Sequence, residues 1–301
     1  MSMRVLVTDG MDAGAIAKLR NDGYEVVEQF YEPAELGAAL RDFDCVVIRS
    51  ATKIRKAQLD IAKDSRLKLI VRGGVGVDNI DVADAEAMGI TVRNTPNASS
   101  NAVAELAIGL MFSCARYISI AGHTMRQGKW EKKAYSKGFE LCGKTLGVIG
   151  YGRIGKRIGD IAQAIGMKVI AYQRHPKPEY ECDTMHFAPL DELLASADII
   201  ALSTPSLGAP IINAENIEKM KDGVVIINTS RGANVDEDAL LTALNSGKVR
   251  AAGLDVWAEE PTKNDALYTH PAVSPTPHTG ASTTEAQKRI GSEIVAIIEN
   301  F

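Results

Sequence analysis

Short apolar segments rich in β-branched residues alternate with longer segments of helical periodicity along the whole chain. Strands that are apolar on both faces and separated by helices are typical of parallel sheets covered on both sides. The alternation therefore predicts an α/β fold. The predicted strands are Arg4–Thr8, Tyr24–Glu28, Cys45–Arg49, Lys68–Arg72, Thr91–Arg93, Leu146–Gly150, Lys168–Tyr172, Ile199–Ser203, Val224–Asn228, Ala251–Val256 and Val273–Thr276.

The spacing of these segments predicts two doubly wound parallel-sheet domains. Five strands precede residues 99–114, which carry an apolar helical face but no strand, and six strands follow. The final stretch, Thr284–Phe301, is amphipathic and cannot form a core alone, so we expect it to pack on the first domain. We predict a discontinuous first domain of residues 1–98 and 276–301, and a second domain of residues 99–275.

One strand of the second set runs into the pattern G-x-G-x-x-G at Gly150, Gly152 and Gly155. The pattern alone is weak, but a helical segment follows it and another strand comes at Lys168–Tyr172, which completes the βαβ unit of dinucleotide sites. In such units the three glycines allow a tight turn, close approach of a pyrophosphate, and close packing of helix and strand. The pattern predicts a Rossmann nucleotide domain; a glycine-rich turn without a ligand is the alternative.

The residues expected to contact the adenosine ribose differ from the usual pattern. NAD enzymes commonly place Asp or Glu at the end of the second strand, whereas here Gln173 and Arg174 follow Tyr172. A nearby arginine accommodates a 2′-phosphate, which favours NADP(H), alone or beside NAD(H). In the alternative, Gln173 bonds to the ribose of NAD and Arg174 stacks on the adenine or is solvated. Both alternatives stay open, so the predicted cofactor is NAD or NADP.

Charged side chains lie at or just beyond the carboxyl ends of several predicted strands, at the edge where open parallel sheets bind ligands. They are Arg49, Arg72, Arg231, Asp255 and His278. Arginines beside a histidine suggest an anionic ligand next to a proton-transfer group, because arginine binds carboxylates and histidine titrates near neutral pH. Glu259 and Glu260 are the nearest carboxylates to orient the histidine. A single arginine would be unremarkable, and Asp255 could equally be a cap.

Composition excludes several other classes of protein. The chain has 34 Lys and Arg against 38 Asp and Glu, a net charge of −4, so it lacks the basic excess of a nucleic-acid binder. Four widely spaced cysteines without a CxxC pair argue against a disulfide framework or a zinc site and suit a reducing compartment. No apolar run approaches the length of a membrane span, and no signal peptide is visible. We expect a cytoplasmic protein without a metal.

Together, these motifs resemble the D-isomer-specific 2-hydroxyacid dehydrogenase family, and most closely its D-3-phosphoglycerate dehydrogenase branch. The resemblance covers essentially the whole chain. It implies a flavodoxin-like substrate domain and a Rossmann nucleotide domain with a cleft between them. The motifs that carry it are Arg49–Lys53, Arg72–Asp81, Asn94–Pro96, Val103–Glu105, Gly150–Gly155, Ser230–Gly232, Gly253–Val256, Glu259–Pro261 and Pro277–Thr283.

The resemblance implies reversible hydride transfer between a nicotinamide cofactor and C2 of a D-2-hydroxy acid. His278 matches the acid/base that exchanges the hydroxyl proton, Glu260 the carboxylate paired with it, and Arg231 the arginine that binds the substrate carboxylate and carbonyl. The N–H groups of Gly74, Val75 and Gly76 would hold the same carboxylate. Implied cofactor contacts are Val103, Gly150, Gly152, Arg153, Ile154, Gln173, Arg174, Thr204, Pro205, Thr229, Asp255, His278 and Gly280.

The favoured substrate is 3-phosphoglycerate, or 3-phosphohydroxypyruvate in the reverse direction. Its phosphate needs extra cations, which Arg49, Lys53 and Arg72 could supply together with Arg126 of the partner subunit. Glyoxylate or hydroxypyruvate reduction is the alternative, with Arg49 and Arg72 holding structure or steering anions. A further alternative is a dinucleotide-sensing, corepressor-like binding protein, because such relatives keep the same three catalytic residues.

The resemblance also implies an assembly and a pathway. Family members are usually homodimers joined through the nucleotide domain, and the segment Trp130–Phe139 lies where that interface would form. A phosphoglycerate dehydrogenase would act in serine biosynthesis. The sequence ends at Phe301 without the regulatory domain of many such enzymes, so we expect no allosteric inhibition by serine.

Overall fold

The computed structural model describes residues 2–301 and divides the chain into two compact units. The first unit is Met1–Ser99 with Ala281–Phe301, and the second is Ser100–Gly280. Residues 276–280 therefore belong to the second unit, whereas the sequence assigned them to the first. The reason is Asp255, whose carboxylate accepts hydrogen bonds from Thr276 Oγ1 and from the Thr279 and Gly280 N–H groups.

The first unit contains one parallel sheet of five strands in the order β2-β1-β3-β4-β5. Alternate residues of the central strands are buried on opposite faces: Val5 and Val47 pack in one cluster, and Leu6 and Val46 in the other. Apolar faces on both sides require helices on both sides. The elements are β1 (Arg4–Val7), α1 (Ala13–Asn21), β2 (Glu25–Glu28), α2 (Pro33–Leu40), β3 (Cys45–Ile48), α3 (Lys56–Ala62), β4 (Leu69–Arg72), α4 (Val82–Ala87) and β5 (Thr91–Asn94).

The second unit begins with two helices, α5 (Ser100–Arg116) and α6 (Ile118–Arg126), which bend by 68° after Tyr117. The apolar face predicted for residues 99–114 is buried: Ala104, Ala107 and Met111 are fully inaccessible. No single helix within residues 2–301 has the length and apolar composition to cross a membrane, although this bent pair passes the test on those two properties.

A parallel sheet of seven strands forms the body of the second unit, in the order β12-β11-β10-β9-β6-β7-β8. The direction of winding changes between β6 and β9, which is where dinucleotide folds bind their ligand. The elements are β6 (Thr145–Ile149), α7 (Arg153–Ala164), β7 (Lys168–Tyr172), β8 (Met185–Phe187), α8 (Leu190–Ser196), β9 (Ile199–Leu202), α9 (Ala214–Lys219), β10 (Val224–Asn228), α10 (Glu237–Ser246), β11 (Val249–Leu254), α11 (Asp265–Tyr268) and β12 (Val273–Pro275).

The prediction of six strands in this sheet was wrong by one. The additional strand, β8, has three residues and pairs only with β7 at the edge of the sheet. Only Met185 of its residues is buried, while His186 is exposed, so the segment lacks the continuous apolar run by which the other strands were recognised.

The C-terminal helix α12 (Thr284–Glu299) completes the first unit. Ile290, Ile294 and Ile298 lie in the same buried cluster as residues of β1, β3 and α1. Gly291 lets the helix approach α1, because a Cβ at this position would lie 2.8 Å from the Ala15 side chain. The predicted C-terminal helix, with its apolar face towards the first sheet, is confirmed.

Candidate active site

The three glycines of the predicted phosphate loop lie between β6 and α7. Gly150 has a φ of 93°, and a Cβ there would lie 2.6 Å from the Ser203 carbonyl oxygen. A Cβ at Gly155 would lie 2.0 Å from the Gly150 oxygen, so the helix can approach the strand only without a side chain. Both positions require glycine for the close packing of β6, β9 and α7.

Space and unsatisfied polar groups fit a dinucleotide at this turn. Gly152 has nothing within 4 Å of its Cβ position, so open space faces the backbone that precedes the N-terminus of α7. A helix N-terminus with free N–H groups favours a pyrophosphate. Gln173 Oε1 and Ser203 Oγ are buried without a hydrogen-bond partner among residues 2–301, and ribose hydroxyl or amide groups could satisfy such atoms.

The other predicted cofactor contacts surround the carboxyl ends of these strands. Thr204 and Pro205 follow β9, and Thr204 Cβ lies 3.0 Å from the Gly150 Cβ position. Arg153 is the first residue of α7 and is exposed, whereas Ile154 packs partly against the core. Arg174 is exposed directly after Gln173, and Thr229 follows β10.

Asp255 is almost completely buried, with 1 % of its surface exposed, and both of its carboxylate oxygens are engaged. Oδ1 accepts from Thr276 Oγ1 and Thr279 N, both at 2.7 Å, and Oδ2 accepts from Gly280 N at 2.9 Å. The Gly280 Cβ position is 3.3 Å from Val103 Cγ2, which brings these three predicted contacts together. The Asp255 carboxylate therefore holds the segment that carries His278.

The structure brings the His278 and Glu260 side chains together. His278 Nδ1 lies 2.7 Å from Glu260 Oε2, and the two side chains keep 39 % and 36 % of their surface exposed. The histidine backbone has a φ of 53°, and its N–H donates to the Asp255 carbonyl oxygen at 2.8 Å. Glu260 Oε1 accepts from the Trp257 N–H at 3.2 Å. With Nδ1 engaged by a carboxylate, Nε2 is the nitrogen left for a ligand.

The charges around Glu260 favour its ionised form. Partial burial alone would raise the pKa of this carboxyl, but the hydrogen bond and charge of His278, the Trp257 N–H and the charge of Arg231 outweigh burial. The pKa of Glu260 is therefore held below its ordinary value. A carboxylate that stays ionised keeps the imidazole ring oriented through its contact with Nδ1.

Arg231 lies in the loop after β10 and is partly buried. Its Nη1 donates to the Ser230 carbonyl oxygen at 2.6 Å. The following Gly232 packs against the backbone of Trp257, where a Cβ would lie 1.9 Å from the Trp257 oxygen. The second unit alone thus supplies a guanidinium, an imidazole and a carboxylate within one group of neighbouring loops.

The predicted substrate residues of the first unit lie at the carboxyl end of β4 and in the loops after β3 and β4. Arg49 Cγ is 3.6 Å from the Gly73 Cβ position in the loop after β4, and Arg72 Nη2 donates at 3.2 Å to Ser50 Oγ in the loop after β3. Lys53 is exposed further along that loop. The loop itself is anchored by Asp9, whose carboxylate accepts from the Arg49 N–H at 2.7 Å.

The glycine-rich turn after β4 offers fewer free N–H groups than the sequence suggested. The Gly74 N–H donates to the Arg72 carbonyl oxygen at 2.9 Å and so is not free to hold a carboxylate. No acceptor within the described part of the chain is found for the Val75 and Gly76 N–H groups. Asn94 Nδ2 donates to the Val75 oxygen at 2.6 Å and fixes the turn.

Several residues that organise the site were missed in the sequence. Asn228 and Asn234, which are completely buried, hold the Arg231 loop, and Asn79 donates to the Arg49 and Thr52 oxygens at 2.6 and 2.7 Å. The available signal for Asn228 is its place as the one polar residue that ends an otherwise apolar strand. No group of three or more metal-ligating side chains occurs among residues 2–301.

Comparison with known proteins identifies the family. A family model described as "D-isomer specific 2-hydroxyacid dehydrogenase, NAD binding domain" matches residues 108–280. The chain is 47 % identical over 298 residues to the hydroxypyruvate reductase of Thermotoga maritima, covering 97 % of this chain and 96 % of that protein. It is 44 % identical to the D-3-phosphoglycerate dehydrogenase of Methanocaldococcus jannaschii, covering 99 % of this chain but 57 % of that protein.

A solved structure shows the same architecture. The NADPH-dependent glyoxylate/hydroxypyruvate reductase of Sinorhizobium meliloti, in complex with NADP and malonate, superposes with a TM-score of 0.87 at 29 % identity, covering 99 % of this chain and 93 % of that chain. The strand order, the phosphate loop and these matches agree with one another. The chain belongs to the D-isomer specific 2-hydroxyacid dehydrogenase family.

Proposed function

We propose that this chain interconverts a D-2-hydroxy acid and its 2-oxo acid, with His278 as the acid/base, Glu260 as its partner and Arg231 as the substrate-binding cation. The observation that carries the proposal is the 2.7 Å contact between His278 Nδ1 and Glu260 Oε2, beside the loop of Arg231. A bound nicotinamide would donate or accept the hydride at C2. The membership of the family supports the same reaction.

The three side chains divide the remaining chemistry between them. During reduction, the protonated His278 gives a proton from Nε2 to the carbonyl oxygen as C2 gains the hydride; during oxidation, Nε2 takes the hydroxyl proton. Glu260 accepts the Nδ1–H bond and stabilises the imidazolium. The Arg231 guanidinium holds the substrate carboxylate and polarises the carbonyl.

The proposal is tested by steady-state turnover of phosphohydroxypyruvate, hydroxypyruvate, glyoxylate and pyruvate with NADH and with NADPH. His278→Ala should abolish turnover while cofactor affinity changes little, because the histidine acts on the substrate oxygen. Wild-type protein that binds cofactor but turns over none of the four acids would instead favour the dinucleotide-sensing alternative.

A phosphorylated substrate is favoured by the cations of the first unit. Arg72 donates to the Ser50 hydroxyl next to Arg49 in sequence, and Arg49 lies against Gly73 next to Arg72 in sequence, so the two arginines are neighbours. Guanidinium groups bind phosphate bidentately. We therefore propose 3-phosphoglycerate and 3-phosphohydroxypyruvate as the substrate pair, which would place the enzyme in serine biosynthesis. Hydroxypyruvate reduction is the second candidate, because the hydroxypyruvate reductase of Thermotoga maritima is matched over 96 % of its own length, whereas the D-3-phosphoglycerate dehydrogenase of Methanocaldococcus jannaschii is matched over 57 %.

Replacement of Arg49 separates the two substrates. Arg49→Ala should lower kcat/KM for phosphohydroxypyruvate relative to hydroxypyruvate by about 10- to 100-fold, since a charged hydrogen bond contributes roughly 1.5–3 kcal/mol. Arg55→Ala is the matched control, because Arg55 is paired with Asp81 at 2.9 Å in the same stretch of chain. An equal loss for both substrates would contradict a phosphate site.

The cofactor preference is proposed to depend on Gln173 and Arg174. The buried, unpartnered Gln173 Oε1 supports a bond from a ribose hydroxyl, whereas the exposed Arg174 supports a 2′-phosphate. If Arg174 binds the 2′-phosphate, Arg174→Ala should weaken the binding of NADPH at least about tenfold more than the binding of NADH. Lys177→Ala is the control, because its Nζ lies over the Tyr180 ring, 5.5 Å from the centroid.

A homodimer through the second unit and a reducing, cytoplasmic location complete the proposal. Large apolar side chains of α5, α6 and the following segment are exposed, which supports a protein interface there; they are Phe112, Ile118, Met125 and Trp130, with 39, 57, 52 and 76 % exposed. Light scattering should give the mass of a dimer, and Trp130→Glu should give that of a monomer. All four cysteines are free, which supports a reducing compartment.

A further inference from the structure

Strand β10 ends in Asn228, whose amide is completely buried and fixes the next turn of chain. Its Oδ1 accepts from the Ser230 N–H at 3.1 Å and from Ser230 Oγ at 2.8 Å. Its Nδ2 donates to the Arg231 carbonyl oxygen at 2.8 Å. One side chain therefore determines the backbone path on either side of the peptide that leads into Arg231.

Asn234 holds the same loop from its other end. The Asn234 N–H donates to the Arg231 oxygen at 3.1 Å, so that oxygen accepts two hydrogen bonds. Asn234 Nδ2 donates to Ser230 Oγ and to the Thr204 oxygen, both at 3.0 Å. These bonds fix the position of the Arg231 backbone relative to Thr204, which follows β9.

A continuous chain of hydrogen bonds joins the Arg231 loop to the His278 segment. The Asn228 carbonyl oxygen accepts from the Asp255 N–H at 2.9 Å, and the Asp255 oxygen accepts from the His278 N–H at 2.8 Å. Asn228 thus bonds to the backbone of Arg231 through its side chain and to the backbone of Asp255 through its carbonyl group. Asp255 in turn bonds to the backbone of His278.

We propose that Asn228 is a positioning residue that sets the distance between the Arg231 guanidinium and the His278 imidazole. The inference rests on the proposed function, in which these groups bind the substrate and move its proton. Because Asn228 has no exposed surface, it acts through Arg231 and does not touch the substrate. Catalysis is sensitive to such placement, since a misplacement of about 1 Å can cost roughly a hundredfold in rate.

Asn228→Asp is the sharpest perturbation. It keeps the size of the side chain and an oxygen for the Ser230 N–H and hydroxyl, but replaces the donor that faces the Arg231 oxygen with an acceptor. We expect kcat/KM for the 2-oxo acid to fall about 10- to 100-fold, mainly through KM, while the Kd for NADH or NADPH changes less than about twofold. Ser274→Ala is the matched control: it removes a buried hydrogen bond to Ser113 Oγ (2.8 Å) on β12 and should leave kcat/KM unchanged.

The decisive measurement repeats the substitution in an Arg231→Ala background, with residual turnover assayed at high enzyme concentration. If Asn228 acts through Arg231, N228D should lower kcat/KM by less than about threefold in the Arg231→Ala background. The same loss of kcat/KM in both backgrounds would overturn the proposal. Equal weakening of cofactor binding and substrate binding would overturn it as well. If N228D does not fold by circular dichroism, Ser230→Ala takes its place in the cycle, with an expected loss of about fivefold that disappears without the guanidinium.

The outcomes separate this inference from the function on which it rests. Wild-type protein without turnover, or an R231A variant with wild-type turnover, would refute the proposed function or the role of Arg231. Active wild-type protein, an impaired R231A variant and a folded N228D variant with wild-type kinetics would refute the inference about Asn228 alone.

Discussion

Asp255→Asn tests whether the buried carboxylate holds the segment around His278. The substitution preserves shape but converts one acceptor oxygen into an amide group. Either the Thr279 N–H or the Gly280 N–H, now bonded at 2.7 and 2.9 Å, then lacks an acceptor. A buried unsatisfied donor costs about 1–3 kcal/mol, and the remaining bonds lose their charge assistance, worth roughly 1 kcal/mol. We expect a total destabilisation of about 2–4 kcal/mol.

Thermal unfolding and steady-state kinetics measure the two consequences. For a unit of this size the expected loss corresponds to a decrease of roughly 5–15 °C in Tm. The positive φ of His278 persists only while its surroundings enforce it, so a loosened segment should relax and misalign the imidazole. We therefore expect kcat to fall at least about tenfold.

Asp198→Asn is the matched control for this experiment. Asp198 also accepts from a backbone N–H, that of Thr145 at 2.8 Å, and from Lys221 Nζ at 3.0 Å, but it lies at the amino ends of the strands. The control should lower Tm without lowering kcat. The reasoning fails if D255N keeps wild-type Tm and kcat, or if D198N lowers kcat as much as D255N does.

Two further predictions concern the charge pair and the phosphate loop. Because the pKa of Glu260 lies below its ordinary value of 4.5 in the folded state, its pairing with His278 stabilises the fold above that pH and the benefit is lost as the pH falls through the lowered pKa. The Tm difference between wild type and Glu260→Gln should be present above pH 4.5 and shrink as the pH falls below 4.5; a pH-independent difference would contradict the pairing. Gly152→Ala should weaken the binding of NADH at least about tenfold with little change in Tm, since its Cβ enters open space. Gly155→Ala should weaken NADH binding and also lower Tm, because its Cβ would lie 2.0 Å from the Gly150 oxygen. Fluorescence titration with NADH checks both, and equal Tm values for the two variants would count against the packing argument.

The fold was predictable wherever a buried element gives the sequence a regular apolar pattern. Each central strand is apolar on both faces, so Val46, Ile70 and Ile226 all lie in uninterrupted apolar runs. The strand β8 was not predicted, because an edge strand of three residues buries few apolar side chains. The end of the second unit was misplaced by five residues because Asp255 holds residues 276–280 through hydrogen bonds that join distant parts of the sequence.

The candidate site was predictable only for residues that can be recognised from their residue type and their position in the sequence. Arg231 and His278 could be named because charged side chains follow apolar strands at the carboxyl edge. The role of Asn228 could not be predicted, since its partners are the carbonyl oxygen of Arg231, three residues later, and the N–H of Asp255, which directly follows the neighbouring strand β11. The use of the Gly74 N–H by the Arg72 oxygen depends on a local turn conformation that composition does not determine.

The return of helix α12 to the first sheet has a consequence for the order in which the protein is made. Residues 100–280 form the second unit from one continuous stretch, so every residue of that unit precedes α12 in the chain. The first sheet is synthesised earlier but leaves one face without Ile290, Ile294 and Ile298 until residues 284–299 have emerged. The unit that begins the chain is therefore completed only after α12 has been synthesised, and apolar surface that stays uncovered until then is prone to aggregation.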